Sequence, residues 1–230
     1  MTRARAVVSG ASSGIGAAVV TRLLDGGWNV VGLSRRAPQG THPQLTWLPT
    51  DLADIDSLAA SLDSERAAFG RVDAVVHAAG VQYSAPLGAL DVDHGARMWR
   101  VHVAAAEVLV NGLVPSMGDG ASVVLVGSRT MTGSAGKSQY AATKSALIGL
   151  ARSWATELVS RRITVNVVAP GPTDTPMLAD PNRAGTPPAT PPMGRLIAPA
   201  EVAGTVAFLL GPDARSITGQ VITQCAGMSL

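Results

Sequence analysis

Along the chain, short apolar runs of strand length alternate with longer stretches in which apolar positions recur every three or four residues. The runs fall at residues 4–9 (ARAVVS), 29–33, 45–48, 74–77, 122–126 (SVVLV), 163–168 and 221–223. They carry no polar face, which predicts strands covered on both sides. Helical spacing falls at residues 17–24, 55–69, 94–113, 140–159 and 201–210. The punctuation agrees. Gly26–Gly27 follows the first helix, Asp51 or Asp54 can cap the second, Pro115 follows the third, and Pro170–Gly171 ends the sixth strand. Strands alternating with helices predict an α/β fold, a doubly wound parallel sheet of about seven strands with helices on both faces.

No internal repeat or linker divides the chain, so residues 1–230 read as one domain. A chain of 230 residues buries roughly 70–75% of its unfolded surface. With 47% hydrophobic and 15% charged residues it is not a disordered chain. The mean hydropathy of +0.25 invites a membrane reading. However, no apolar run reaches the roughly 18–20 residues that a spanning helix needs. The start, MTRARAVVSG, lacks the apolar core of a signal peptide. The net charge is +2, its arginines are scattered, and Trp28, Trp47, Trp99 and Trp154 do not interleave with them. Nucleic acid is therefore not an expected partner, and the tryptophans read as packing residues. Cys225 is the one cysteine, which excludes an internal disulfide or a Cys-rich metal site and fits a cytoplasmic protein, with Cys225 itself a small buried residue. No His, Asp or Glu spacing suggests a metal, and His42 and His94 read as exposed loop or cap residues.

The first motif with chemistry is SGASSGIG, residues 9–16, directly after the first strand. Gly10 permits a sharp turn, Gly14 lets backbone approach a pyrophosphate, and Gly16 lets the next helix pack close to the sheet. Free N–H groups at the helix start (Ser12, Ser13, Gly14, Ile15) attract phosphate. The spacing G-x-x-x-G-x-G differs from the commoner G-x-G-x-x-G, so a packing turn in some other α/β protein is the competing reading. The second strand ends GLSRR. An NAD site usually places a carboxylate there for the ribose 2′-OH. Here Ser34, Arg35 and Arg36 stand in that place, and guanidinium forks match a 2′-phosphate. This reads as NADP(H), against the alternative that both arginines are surface charges.

The second motif is Tyr140-Ala-Ala-Thr-Lys144. Positions i and i+4 share a helix face. A phenol ordinarily titrates near pH 10, and an ammonium one turn away lowers that value toward acid/base use. The pair uses one of two tyrosines and one of two lysines in the chain. Ser128 follows the strand SVVLV at its C-terminal end, where ligands bind in such sheets, and its hydroxyl can donate to a carbonyl.

These motifs, with HAAG at residues 77–80, VNVVAPGPTDTPM at 165–177 and the tail GRLIAPAEVAGTVAFLL…ITGQVI, resemble the single-domain short-chain dehydrogenase/reductases over nearly the whole chain. The resemblance implies that Tyr140 is the general acid/base, that Lys144 holds the nicotinamide ribose and lowers the Tyr140 pKa, and that Ser128 orients the substrate carbonyl. It implies Asp51 at the adenine amine, Leu52 beside the ring, Ala79 and Gly80 along the adenosine, and Pro170, Gly171, Thr173 and Thr175 around the nicotinamide. The proline-rich stretch 180–199 would be the substrate lid. Three departures stand out. HAAG replaces the family's NNAG, with His77 expected as a satisfied core residue. His102 stands where the family has an asparagine in a proton relay, and could serve through its carbonyl or its imidazole. Ser128 lies one residue closer to Tyr140 than usual, Gly127 occupying the strict position.

The expected reaction is NADP(H)-dependent hydride transfer between nicotinamide and a ketone or secondary alcohol. Alternatives are a non-catalytic NADP(H) sensor or scaffold, and elimination or epimerisation at a carbonyl. Arg129, Thr130, Met131, Thr132, Gln82, Tyr83 and Met177 are candidates to contact a small-molecule substrate. The lid carries few charges (Asp180, Arg183, Arg195), which suggests a modest, mostly apolar carbonyl compound. The Ala- and Val-rich helices at 94–113 and 140–159 suit packing across a two-fold axis, so a homodimer or homotetramer is expected.

Overall fold

In the computed structural model, which describes residues 3–65, 69–183, 186 and 189–230, the apolar runs form one seven-stranded parallel sheet. The strands are β1 (Arg5–Ser9), β2 (Asn29–Ser34), β3 (Leu45–Pro49), β4 (Val72–His77), β5 (Met117–Val126), β6 (Thr164–Pro170) and β7 (Val221–Gln224). Their order is β3-β2-β1-β4-β5-β6-β7. The helices are α1 (Gly14–Asp25), α2 (Ile55–Ser64), α3 (Val92–Trp99), α4 (Ala105–Leu113), α5 (Ser138–Leu158) and α6 (Pro199–Leu210). The residues expected to end the second helix, 66–68, lie outside the described set. Asp54 supplies its N-cap, accepting from Ser57 N–H at 3.1 Å, and Pro199 takes the first-turn place in α6 that suits a residue without an N–H.

Side chains alternate across the sheet. Val7 of β1 joins one apolar cluster with Leu58 and Leu62 of α2, Leu109 and Leu113 of α4, and Leu147, Ala151 and Leu158 of α5. Its neighbours Ala6 and Val8 join the other, with Val19, Val20 and Leu23 of α1 and Val202, Val206 and Leu209 of α6. Full burial of each such side chain stabilises by about 1.5–3 kcal/mol. Period-two alternation therefore splits one run of valines between two cores.

The stretch expected as one helix over 94–113 is helical, but its middle is a π-helical turn, Arg100–Ala104, centred on His102. The Ala105 N–H reaches back five residues to the Arg100 carbonyl. Such turns are widened and cluster at functional sites.

Sequence order reverses between β1 and β4, and ligands in open α/β sheets bind beyond the strand ends at that place. Gly10 leaves β1 with φ 72°, and a Cβ there would lie 2.8 Å from the Ala79 backbone. Gly16 is tighter, since an added Cβ would lie 2.1 Å from the Gly10 carbonyl oxygen. Backbone cannot yield as a side-chain end can. Gly16→Ala should therefore cost about 1–3 kcal/mol or more, read as a lower denaturant midpoint at unchanged m-value. An unaltered midpoint would refute this packing account.

Candidate active site

Two clefts open along the C-terminal edge of the sheet and share Ile15, Ala78, Gly80, Thr175 and Met177. The first, about 200 Å³, is walled by the turn Gly10–Ile15, by Ser34, Arg35 and Arg36 after β2, by Asp51 and Leu52 after β3, and by Ala79 and Gly80 after β4. The residues needed for a dinucleotide are thus brought together. Ser13 precedes α1 without a side-chain cap bond, which leaves the helix-start N–H groups for a ligand oxygen. Arg35 and Arg36 are exposed at the rim, and Ser34 Oγ donates to the Arg36 carbonyl at 2.7 Å, fixing their loop. A flat, elongated, anionic cofactor fits this donor set. Gly16 is an exception among the expected contacts: it does not line the cleft and serves the packing described above.

The second cleft, about 320 Å³, is walled by Ser128, Arg129, Thr130, Lys137, Tyr140, Lys144, residues 170–173, 175, 177 and 178, and the lid residues Arg183, Thr186 and Ala189. Pro170, Gly171, Thr173, Thr175, Gln82 and Met177 stand in its wall as expected. Three expected substrate contacts do not, and one of them, Thr132, is exposed with its hydroxyl turned to the Arg129 carbonyl. Met131 is buried in the core and packs beneath Gly127, because the short 3-10 turn after Ser128 points it inward. Tyr83 stacks on His94 instead, with ring centroids 4.0 Å apart. Trp47 and Trp99 are partly exposed, β3 being an edge strand, and Cys225 is half-buried beside Gly171 rather than fully buried.

Tyr140 and Lys144 lie one turn apart on α5, both buried. Ser128 and Tyr140 stand in the wall of the same cleft, and the Ser128 hydroxyl, close enough to act on the phenol, lies 2.9 Å from Thr130 Oγ1, so Ser128 faces the Tyr140 cleft despite its shifted position. Burial pushes the phenol above its usual pKa; the nearby Ser128 hydroxyl and the charge of Arg183 pull the other way. Lys144 is not among the groups that lower it. Burial depresses Lys144 itself to about 7, and its Nζ donates to the Val126 carbonyl at 2.8 Å. The expectation that the ammonium draws the phenol down is therefore not met in the unliganded chain. Desolvation dominates both groups.

The two buried histidines are held in opposite tautomers. His77 Nε2 faces the Val101 carbonyl at 3.1 Å, which only accepts, so Nε2 carries the proton. Its Nδ1 then accepts from Ser9 Oγ at 2.8 Å. His102 Nε2 faces the Val81 N–H at 3.1 Å, so Nε2 accepts and Nδ1–H donates to Thr143 Oγ1 at 2.8 Å. Thr143 in turn donates to the Tyr140 carbonyl at 2.9 Å. Burial pushes His77 down to about 3 and His102 well below its usual value. His77 is the satisfied core residue expected of it, tying β1 and β4 to the π turn. Both His102 nitrogens are engaged away from the substrate cleft, and its ring meets Tyr140 edge-on with centroids 5.5 Å apart.

Sequence reasoning missed Lys137 and Thr186 as cleft residues and gave Arg183 only as a lid charge. Arg183 is buried although it lies in an irregular, proline-rich stretch. Such a stretch has no periodicity from which an inward residue can be read.

The comparisons agree with this architecture. A family model described as enoyl-(acyl carrier protein) reductase matches residues 10–229. The chain is 34% identical over 237 aligned residues to cis-4-hydroxycyclohexanecarboxylate dehydrogenase of Sinomonas cyclohexanicum, covering 96% of this chain and 95% of that one. It is 35% identical over 235 aligned residues to 3-oxoacyl-(acyl-carrier-protein) reductase of Salmonella typhimurium, covering 97% and 96%. A short chain dehydrogenase from Burkholderia cenocepacia, solved in complex with NADP, superposes with a TM-score of 0.87 at 33% identity over 97% of each chain. The matched length, the sheet order and the Ser128–Tyr140–Lys144 cluster lead to one conclusion: the chain belongs to the short-chain dehydrogenase/reductase family.

Proposed function

We propose that the protein is an NADP(H)-dependent oxidoreductase that interconverts a ketone and a secondary alcohol. The observation that carries this reading is the placement of Ser128, Tyr140 and Lys144 together in the wall of the second cleft, which adjoins the first. The Gly10–Ile15 turn would hold the pyrophosphate, Arg35 and Arg36 the 2′-phosphate, and Asp51 and Leu52 the adenine. Lys144 would hold the ribose hydroxyls, with Pro170, Gly171, Thr173 and Thr175 around the nicotinamide. When bound, the cofactor supplies or accepts the hydride. Ser128 holds the substrate oxygen, and Tyr140 gives it the proton in reduction or removes it in oxidation. A phenol raised above its usual pKa is protonated at neutral pH, the form that gives the proton in reduction. His102 acts as a positioning residue, since its hydrogen bonds fix Thr143 and the helix turn that carries Tyr140.

The relatives support the reaction class. The names of two of them specify a hydroxy-compound dehydrogenase and an oxoacyl reductase, and both name chemistry at a CH–OH or C=O carbon. Among the described residues no helix is long and apolar enough to cross a membrane. We place the protein in the cytoplasm as a homodimer or homotetramer built on the exposed faces of α4 and α5, a reading that light scattering tests.

A paired fluorescence titration checks the cofactor. NADPH should bind at least about tenfold more tightly than NADH, equivalent to about 1.4 kcal/mol. Arg35→Asp should remove that preference by repelling the 2′-phosphate. Equal affinity of the natural chain for both cofactors would reduce Arg35 and Arg36 to surface charges.

A further inference from the structure

The cleft in front of Tyr140 carries an imbalance that ketone reduction alone does not require. Its wall includes four cations, Arg129, Lys137, Lys144 and Arg183, and no aspartate or glutamate among the described residues. Arg183 is only 7% exposed. Its Nη1 donates to the Met177 carbonyl at 3.2 Å, but its Nε has no partner. Thr186 Oγ1 is likewise buried and unpartnered. These are the two such side-chain atoms found among the described residues, and both residues line this one cleft. Asp180 is close enough to Arg183 to act on its charge, yet forms no ion pair with it, and its carboxylate accepts from the Asn182 N–H at 2.9 Å.

A buried guanidinium with an idle N–H costs free energy until an acceptor arrives. The neighbouring charges add to this cost, since burial first, and then Arg183 and Arg129, press Lys137 below its usual pKa. An anion would relieve both. Its place is in the cleft where the carbonyl must sit, because Arg183 and Thr186 line the same wall as Ser128 and Tyr140. The phosphate of a pantetheine thioester would lie a whole pantetheine arm away from its carbonyl, so such a substrate would leave this position empty.

We infer that the natural substrate pair is an oxo acid and its hydroxy acid, with the substrate carboxylate held by Arg183 and Thr186 while Ser128 and Tyr140 hold the carbonyl. This deepens the oxidoreductase reading and rests on it. In the reductive direction the carbonyl carbon takes the hydride of NADPH, the carbonyl oxygen takes the Tyr140 proton, and the carboxylate is unchanged. The few charges of the lid suggested an apolar substrate from sequence; the burial of one of them reverses that reading.

The test uses the intact chain with NADPH and pairs each acid with its uncharged ester: levulinate with methyl levulinate, and phenylglyoxylate with methyl phenylglyoxylate. The acids should show kcat/KM at least about tenfold above the esters, a difference of about 1.4 kcal/mol. Arg183→Gln should lower kcat/KM for the acids by about 100-fold more than for the esters, any change at the Tyr140 phenol being common to both, and leave the NADPH Kd essentially unchanged, with Arg183→Lys recovering part of the loss. Equal turnover of acids and esters, or an equal fall for both in Arg183→Gln, would overturn the assignment while leaving the oxidoreductase reading intact. So would preferred reduction of acetoacetyl-CoA that is indifferent to Arg183→Gln. If NADPH binds but neither acids, esters nor the thioester are reduced, the oxidoreductase reading fails and this assignment fails with it.

Discussion

Tyr140→Phe should abolish turnover while leaving the protein folded and able to bind NADPH. The substitution removes one oxygen and nothing else. The ring keeps its burial and its edge-on contact with His102. The Ser128 hydroxyl keeps its partner Thr130 Oγ1 at 2.9 Å, so it is not stranded. The stability change should therefore stay below about 1 kcal/mol. What disappears is the proton donor, and positioned proton transfer contributes about 10²–10⁴-fold. Single-turnover NADPH oxidation against an accepted carbonyl compound should fall by that factor at unchanged NADPH affinity. Full activity in the variant would remove Tyr140 from the reaction.

Lys144→Met should produce a second large effect, and in two directions. Turnover falls, because the residue assigned to the ribose hydroxyls is gone. Stability of the ligand-free chain rises at mildly acidic pH. Lys144 is buried with a carbonyl for a partner and no carboxylate, and its pKa falls from 10.5 to about 7 on folding. The unfolded chain therefore binds more protons between those two values, and the Lys144 contribution to stability increases as pH rises through that window. Below pH 7 the full cost of the buried charge is present, on the order of 5 kcal/mol at most. Methionine carries no such cost. Denaturant midpoints of the two proteins should differ most near pH 6 and converge toward pH 10. Parallel curves across the window would show that the lysine is not strained by burial.

Much of this site is visible in the sequence because its chemistry is bound to secondary-structure periods. Tyr140 and Lys144 announce themselves by helix spacing, and the glycine turn by its place directly after a strand. Arg35 and Arg36 are visible because a strand end fixes where they stand. The residues that escape have no period. Met131 and Arg129 are near neighbours in a 3-10 turn, yet one enters the core and the other the cleft. The π turn at Arg100–Ala104 leaves the apolar pattern of a helix intact while it rotates the residues beyond it, so His102 could be located but its partners could not. Arg183 was the hardest to read. An arginine between prolines suggests solvent, and only the folded lid shows it turned inward.

The two clefts have a consequence for how such a chain changes over time. The first is walled almost wholly by residues before position 102 and the second mainly by residues after 125, with contact at a narrow seam around Gly80, Thr175 and Met177. Cofactor choice and substrate choice are thus written in different halves of the gene. Changes at Arg35 and at Arg183 share no partner, and their effects should combine nearly independently. A lineage can then trade one carbonyl compound for another by rewriting the lid, without renegotiating the source of its electrons.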